Sequence, residues 1–291
     1  MKAESAGSIP DGTSQVNQSS LALMNLRHSV GRAVESLNTM VVGLDAVEKG
    51  HEKPPGLDIS WQPADRIASA RKSRKFLLEA VLIRAADALN EYVSAILMLP
   101  RFKELKQDWN GLNLSMAERL ARVSEEVLKS ENYHVPVAAL LIHWRNRIVH
   151  FASSATLKRS QRQLLRKYEV EIGQRYADIS VDRLMCHFEE SRPTLKDVST
   201  MISMTLNWAK EFDRHICDCT DLESLSAWLD YYNLEMRIEK IKRETKPEKI
   251  EESIRRMFRA QARGLEEPYF KLVWSGNLSS MSSKSDGGHV S

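Results

Sequence analysis

The sequence predicts an all-α protein. Three observations carry the prediction. Only 12 Gly and 9 Pro occur in 291 residues, too few breakers to punctuate many short strands. Apolar residues recur at three- and four-residue steps through most of the chain, the period of a half-buried helix. No β-branched run alternates with period two over the length of a strand. Hydrophobic residues make up 42% of the chain, enough to fill the core of one large domain.

Residues 1–20 are rich in Ser, Gln, Asn and Gly and read as a disordered leader, with few large side chains to offset ordering entropy. A first helix runs from about Ser20 to Lys49 on Leu23, Leu26, Val30, Val34, Leu37 and Val41. Pro54, Pro55, Gly56 and Pro63 then force a loop. A second helix starts near Ala64 and stops before Pro100; unbroken, it would span about 50 Å. Residues 100–114, around Trp109, Asn110 and Gly111, read as a loop. Ser115-Met116-Ala117-Glu118 is a capping box that opens a third helix to about Ser130. Pro136 suits the first turn of a fourth helix, expected to end near Ser153.

Residues 157–178 are helical by pattern and basic, and 179–193 carry no clear period but have room for a short helix. Thr194–Ile216, Leu222–Arg243 and Pro247–Arg263 complete the helices, the last with its Arg residues where the helix dipole favours them. The Ser- and Gly-rich segment 275–291 reads as a flexible tail. One helical domain is therefore expected over 21–270, with a C-terminal helical extension from about 220. No internal repeat is present.

Net charge is +3, from 42 basic and 39 acidic residues, so contact with nucleic acid must come from local patches. Cys186, Cys217 and Cys219 are too few for a disulfide framework, which points to a reducing, cytoplasmic compartment. The N-terminus carries no apolar run fit for a signal peptide. The longest apolar stretches, Ala95–Leu99 and Val135–Ile142, fall far below the ~20 residues that span a bilayer, so a soluble chain is expected. P-loop, GxGxxG, GxSxG and HExxH motifs are absent, which weakens kinase, dinucleotide, α/β-hydrolase and zinc-protease readings.

The chemistry concentrates on the fourth helix. Val137, Leu140, Leu141, Trp144, Ile148 and Phe151 form its apolar stripe. His143, Asn146 and His150 fall within about 60° of one another on the other side, and Asn146 and His150 are an i,i+4 pair. Arg145 lies about 140° from His150 on an ideal helix. Both can serve one site only if the Arg wraps round, the helix is irregular, or a second copy supplies one group.

Arg145-Asn146, three residues, then His150, late on an apolar helix, resembles the motif of the HEPN superfamily of helical bundles. Ala85–Tyr92 on the preceding long helix has a similar look, and the resemblance covers residues 65–155. It implies an HEPN-like bundle, often dimeric, and a metal-independent endoribonuclease of toxin or antiviral defence, with RNA as substrate and no cofactor. Arg145, Asn146 and His150 would be catalytic, in a site shared across a homodimer, and an antitoxin or sensor chain would be a further partner. Some HEPN toxins are silenced by nucleotide transfer to a tyrosine two positions after the His. Ala152 stands there, so that control is not expected.

A His that titrates near neutral pH can exchange protons with the ribose 2′-OH and the leaving oxygen, and an Arg offers phosphate a fork of donors. His143, Arg147, Lys158, Arg159 and Arg162 are candidate RNA-binding residues beside that centre. The alternatives are ordinary: His143 as a packing residue, Arg147 and the basic run as solvated charges, and the whole bundle as a non-catalytic RNA- or protein-binding module. Asp87 and Glu91 could position Arg145 or His150, or simply form a solvated acidic face. His215, Cys217 and Cys219 lack a second cluster to complete a metal site, so no metal is expected.

Overall fold

The computed structural model describes residues 19–99, 102, 105, 114–128, 131–150, 152–216, 222–262 and 265–274. The chain is all-helical, and no strand occurs among the described residues. The expected leader, the loop around Trp109, Phe151, Cys217, Cys219, Arg263 and the tail lie outside the described residues.

The first two helices form a long hairpin. In α1 (Leu21–Glu48), Ser20 caps the start by accepting from the Leu23 N–H at 3.0 Å. In α2 (Arg66–Ile96), Asp65 does the same for Ala68 at 3.0 Å. The two helices run antiparallel. Near one end Ser20 and Tyr92 share Asp213; at the other Glu48 lies 3.5 Å from Arg74.

In α3 (Met116–Leu128) the capping box forms as the sequence anticipates. The Ser115 N–H donates to Glu118 Oε2 at 3.0 Å, and the Glu118 N–H to Ser115 Oγ at 3.4 Å. The helix that carries the motif, α4 (His134–Val149), packs against α2, α3 and the later α8 (Leu195–Ile216). It is buried on nearly every side over its first two-thirds: Ala138, Ala139 and Ile142 are as buried as Val137, Leu140, Leu141 and Trp144. The single apolar stripe is therefore too narrow a description of this central helix.

The core joins α4 and α8 to the hairpin. Trp208 is fully buried and donates to Ser124 Oγ at 3.0 Å, and Tyr92 donates to the Ala209 carbonyl at 3.1 Å. Asp213 of α8 accepts from the Ser20 backbone N–H at 2.8 Å and from the Ser20 hydroxyl. The cap of the first helix is thereby tied to the core.

Several expected boundaries shift. Residues 157–178 form two helices, α5 (Arg159–Lys167) and α6 (Glu169–Arg175), because Tyr168 leaves helical geometry at φ −103° and ψ 14°. The segment without clear pattern holds α7 (Val181–Glu189), capped by Ser180. The helix expected over 222–243 breaks into α9 (Leu222–Tyr231) and α10 (Leu234–Glu244) at Asn233, whose φ of 53° is left-handed. A 3₁₀ turn at Pro247–Lys249, α11 (Ile250–Gln261) and α12 (Glu266–Tyr269) follow and pack chiefly on their neighbours. No helix among the described residues is long and apolar enough to cross a membrane.

Candidate active site

The end of α4 differs from the sequence expectation, and the difference builds the site. The helix stops at Val149, not near Ser153, and His150 is extended at φ −117° and ψ 100°. No Gly or Pro marks this stop. Arg147 supplies a physical reason. Its Nε donates to the Ala155 carbonyl at 3.0 Å and its Nη1 to the Phe188 carbonyl at 3.1 Å, with the guanidinium 3.9 Å from the centre of the Phe188 ring. These bonds draw the chain after His150 back across α4 and fasten it to α7, which a continued helix would prevent.

Leaving the helix frees His150 from the 140° separation. Arg145 Nη1 lies 3.5 Å from His150 Nε2 and 3.4 Å from Asn146 Oδ1. A guanidinium can only donate, so at this contact Nε2 presents its lone pair and Nδ1 carries the ring proton. His150 is exposed, so the imidazole is open to a ligand. The three motif residues thus meet within one chain.

Asp87 of α2 completes the group, its Oδ1 3.2 Å from Arg145 Nε. The Arg and Asp side chains are 29% and 45% exposed, so solvent screens the pair and its contribution to stability is about 0–1 kcal/mol. Its effect is to orient: one edge of the guanidinium is held against α2 while Nη1 reaches Asn146 and His150. Sequence reasoning named Asp87 and Glu91 together without separating them. Glu91, one turn on, is exposed and makes no hydrogen bond or ion pair with Arg145. A sequence separation of 58 between Asp87 and Arg145 leaves no local signal of the contact.

His143 does not join the cluster. It is half-buried, and Nδ1 has no hydrogen-bond partner. Burial, then the charge of Arg147, push its pKa down, while Glu118 opposes them. It sits about 40° from Arg147 around the helix and about 160° from Arg145, as packing residues on that side do. Arg147 itself is committed to two carbonyls and a ring.

The basic run after the motif is largely neutralised. Lys158 Nζ lies 3.9 Å from Glu118, and Arg162 Nη1 3.0 Å from Glu189. Arg159 is exposed and alone of the three has no partner among the described residues. In the N-terminal part of α2, Arg66 pairs with Glu52 at 3.0 Å, Arg74 with Glu48 and Lys75 with Glu79, while Arg71 and Lys72 have no partner among the described residues. Arg255 and Arg259 both hold Glu266. No group of three or more His, Cys, Asp or Glu suited to a metal ion occurs among the described residues. Comparison with known proteins yields no matching family model, curated protein or solved structure.

Proposed function

We propose that this chain is a metal-independent endoribonuclease of HEPN type. The contact between Arg145 and His150, with Asp87 orienting the guanidinium, supports the reading most directly. Once a substrate phosphate draws Arg145 Nη1 away from its 3.5 Å contact, the freed lone pair of His150 Nε2 takes the proton of a ribose 2′-OH. The O2′–P bond forms and the P–O5′ bond breaks, leaving a 2′,3′-cyclic phosphate and a 5′-OH. Arg145 stabilises the extra charge on the phosphorane oxygens, the term that dominates many such barriers. DNA, which lacks the 2′-OH, is not cut.

The departing O5′ needs a proton, and one imidazole in the base form does not supply it at the same instant. A homodimer that brings a second His150 to the same phosphate would. The second copy then contributes an acid, not the means of uniting Arg145 with its His. A cytoplasmic toxin or antiviral role, with an antitoxin or sensor chain as silencing partner, follows from the same resemblance.

Purified protein should cut single-stranded RNA in EDTA, and His150→Ala should abolish cutting without changing the melting temperature. Cutting that EDTA stops, or full activity in the variant, overturns the proposal. Of the alternatives, a non-catalytic HEPN-like module that binds RNA or protein, the neutralised Lys158 and Arg162 favour the protein-binding form. That reading requires binding unaffected by His150→Ala and no cleavage products.

A further inference from the structure

The end of α4 remote from His150 borders a polar cleft. Sixteen residues separate His134 from His150, about 24 Å of helix. A cleft of about 550 Å³ is lined there by His134, by Arg175 and Tyr176 at the end of α6, and by Asn207, Lys210 and Arg214 on one face of α8. None of these residues belongs to the Arg145 cluster.

Its inner wall is a fixed chain of hydrogen bonds. Asn132 Oδ1 accepts from the His134 backbone N–H at 2.8 Å and lies 3.0 Å from Nδ1, so Nδ1 carries the ring proton. His134 Nε2 then accepts from the Tyr176 hydroxyl at 2.9 Å. The Tyr176 oxygen accepts in turn from Asn207 Nδ2 at 2.8 Å. Burial lowers the pKa of His134, in keeping with a neutral ring in this chain. The wall is thus held in one arrangement before any ligand arrives.

Two of the cations in front of that wall are unpaired among the described residues. Nearby, Arg166 pairs with Asp182 at 3.0 Å, and Lys167 pairs with Glu131. Lys210 and Arg214, one turn apart on α8, have no hydrogen-bond or ion-pair partner among the described residues. Glu211 also lines the cleft, but its carboxylate is held by Asn132 Nδ2 at 2.8 Å. Arg175 is paired with Glu171 at 3.2 Å. With both carboxylates counted against Arg175, Lys210 and Arg214, the cleft keeps a net positive charge.

We propose that this cleft is a binding site for a small phosphate monoester, with Lys210 and Arg214 gripping the phosphate and the Tyr176–Asn207 wall fixing its position. An Arg fork beside a Lys point charge suits a terminal phosphate dianion. The volume is that of small-ligand sites, which run to roughly 300–1,000 Å³. The neutralised Arg166 and Lys167 argue against a polymer running onward across this surface. The site is independent of the ribonuclease reading.

Calorimetric titration of the full chain with inorganic phosphate, adenosine 5′-monophosphate and adenosine tests this. Both phosphates should bind saturably and adenosine should not. Tighter binding of the monophosphate assigns a nucleotide, and equal binding assigns free phosphate. The Lys210→Gln/Arg214→Gln double variant should lose roughly tenfold or more in affinity, with its circular-dichroism melt unchanged. Arg145→Gln should retain binding. No saturable binding, or unchanged affinity in the double variant, overturns the proposal. So does displacement of the monophosphate by an RNA oligomer without terminal phosphates, which would make the cleft a polymer contact.

Discussion

Arg145 Nη1 lies 3.5 Å from Nε2 of His150, five residues further on, because α4 ends between them. On a continued helix the two side chains would point about 140° apart. The contact thus depends on where the helix stops. On the proposed ribonuclease reading, Arg145→Lys keeps the charge, loses the planar fork and should lower RNA cleavage by roughly a hundredfold. Cleavage rates on one RNA, at matched folded fraction, measure this.

Asp87 acts on the same centre through Arg145. Asp87→Asn should reduce turnover about tenfold while leaving the melting temperature within a degree or two, since a half-exposed pair contributes about 0–1 kcal/mol. Restoration of turnover by Asp87→Glu would mark it as a positioning carboxylate. A large fall in melting temperature with normal turnover per folded molecule would make it structural only.

Arg147 fastens the segment after His150 to α7 through two carbonyls and the Phe188 ring. Arg147→Ala should cost about 2 kcal/mol. For a chain of this size that lowers the melting temperature by roughly 3–4 °C. Cleavage should fall as well, because His150 begins the released segment. Thermal melts and cleavage assays on the same preparation separate the two effects.

Burial lowers the pKa of both His134 and His143. In the unfolded chain each takes up a proton below about pH 6.5, and in the folded chain each resists it. Stability is therefore full above about pH 6.5 and falls as the pH drops below it. Urea midpoints between pH 8 and 5 should show this decline, and His143→Gln should flatten it. An unchanged slope in that variant would remove His143 from the account.

Ser20 caps α1 and also feeds Asp213 with both its backbone N–H and its hydroxyl. Ser20→Ala should cost more than the ~1 kcal/mol of an ordinary cap, because the buried carboxylate loses a donor. A denaturant midpoint no lower than that of wild type would contradict the coupling.

Local information determined a good part of this protein. The all-helical class, the Ser20 start, the Ser115–Glu118 box and the breaker-rich loop after α1 follow from periodicity, capping chemistry and Pro and Gly positions, which act within a few residues. The same local reading placed Arg145, Asn146 and His150 on one segment. Tertiary structure decided how they meet. The stop at Val149 comes from Arg147 reaching Ala155 and Phe188, and the choice of Asp87 over Glu91 comes from the packing of α2 on α4. The cleft in front of Tyr176, which joins His134 to α6 and α8, likewise arises between elements far apart in sequence. Such contacts bring together groups tens of residues apart, and the pattern within either segment holds no record of the other.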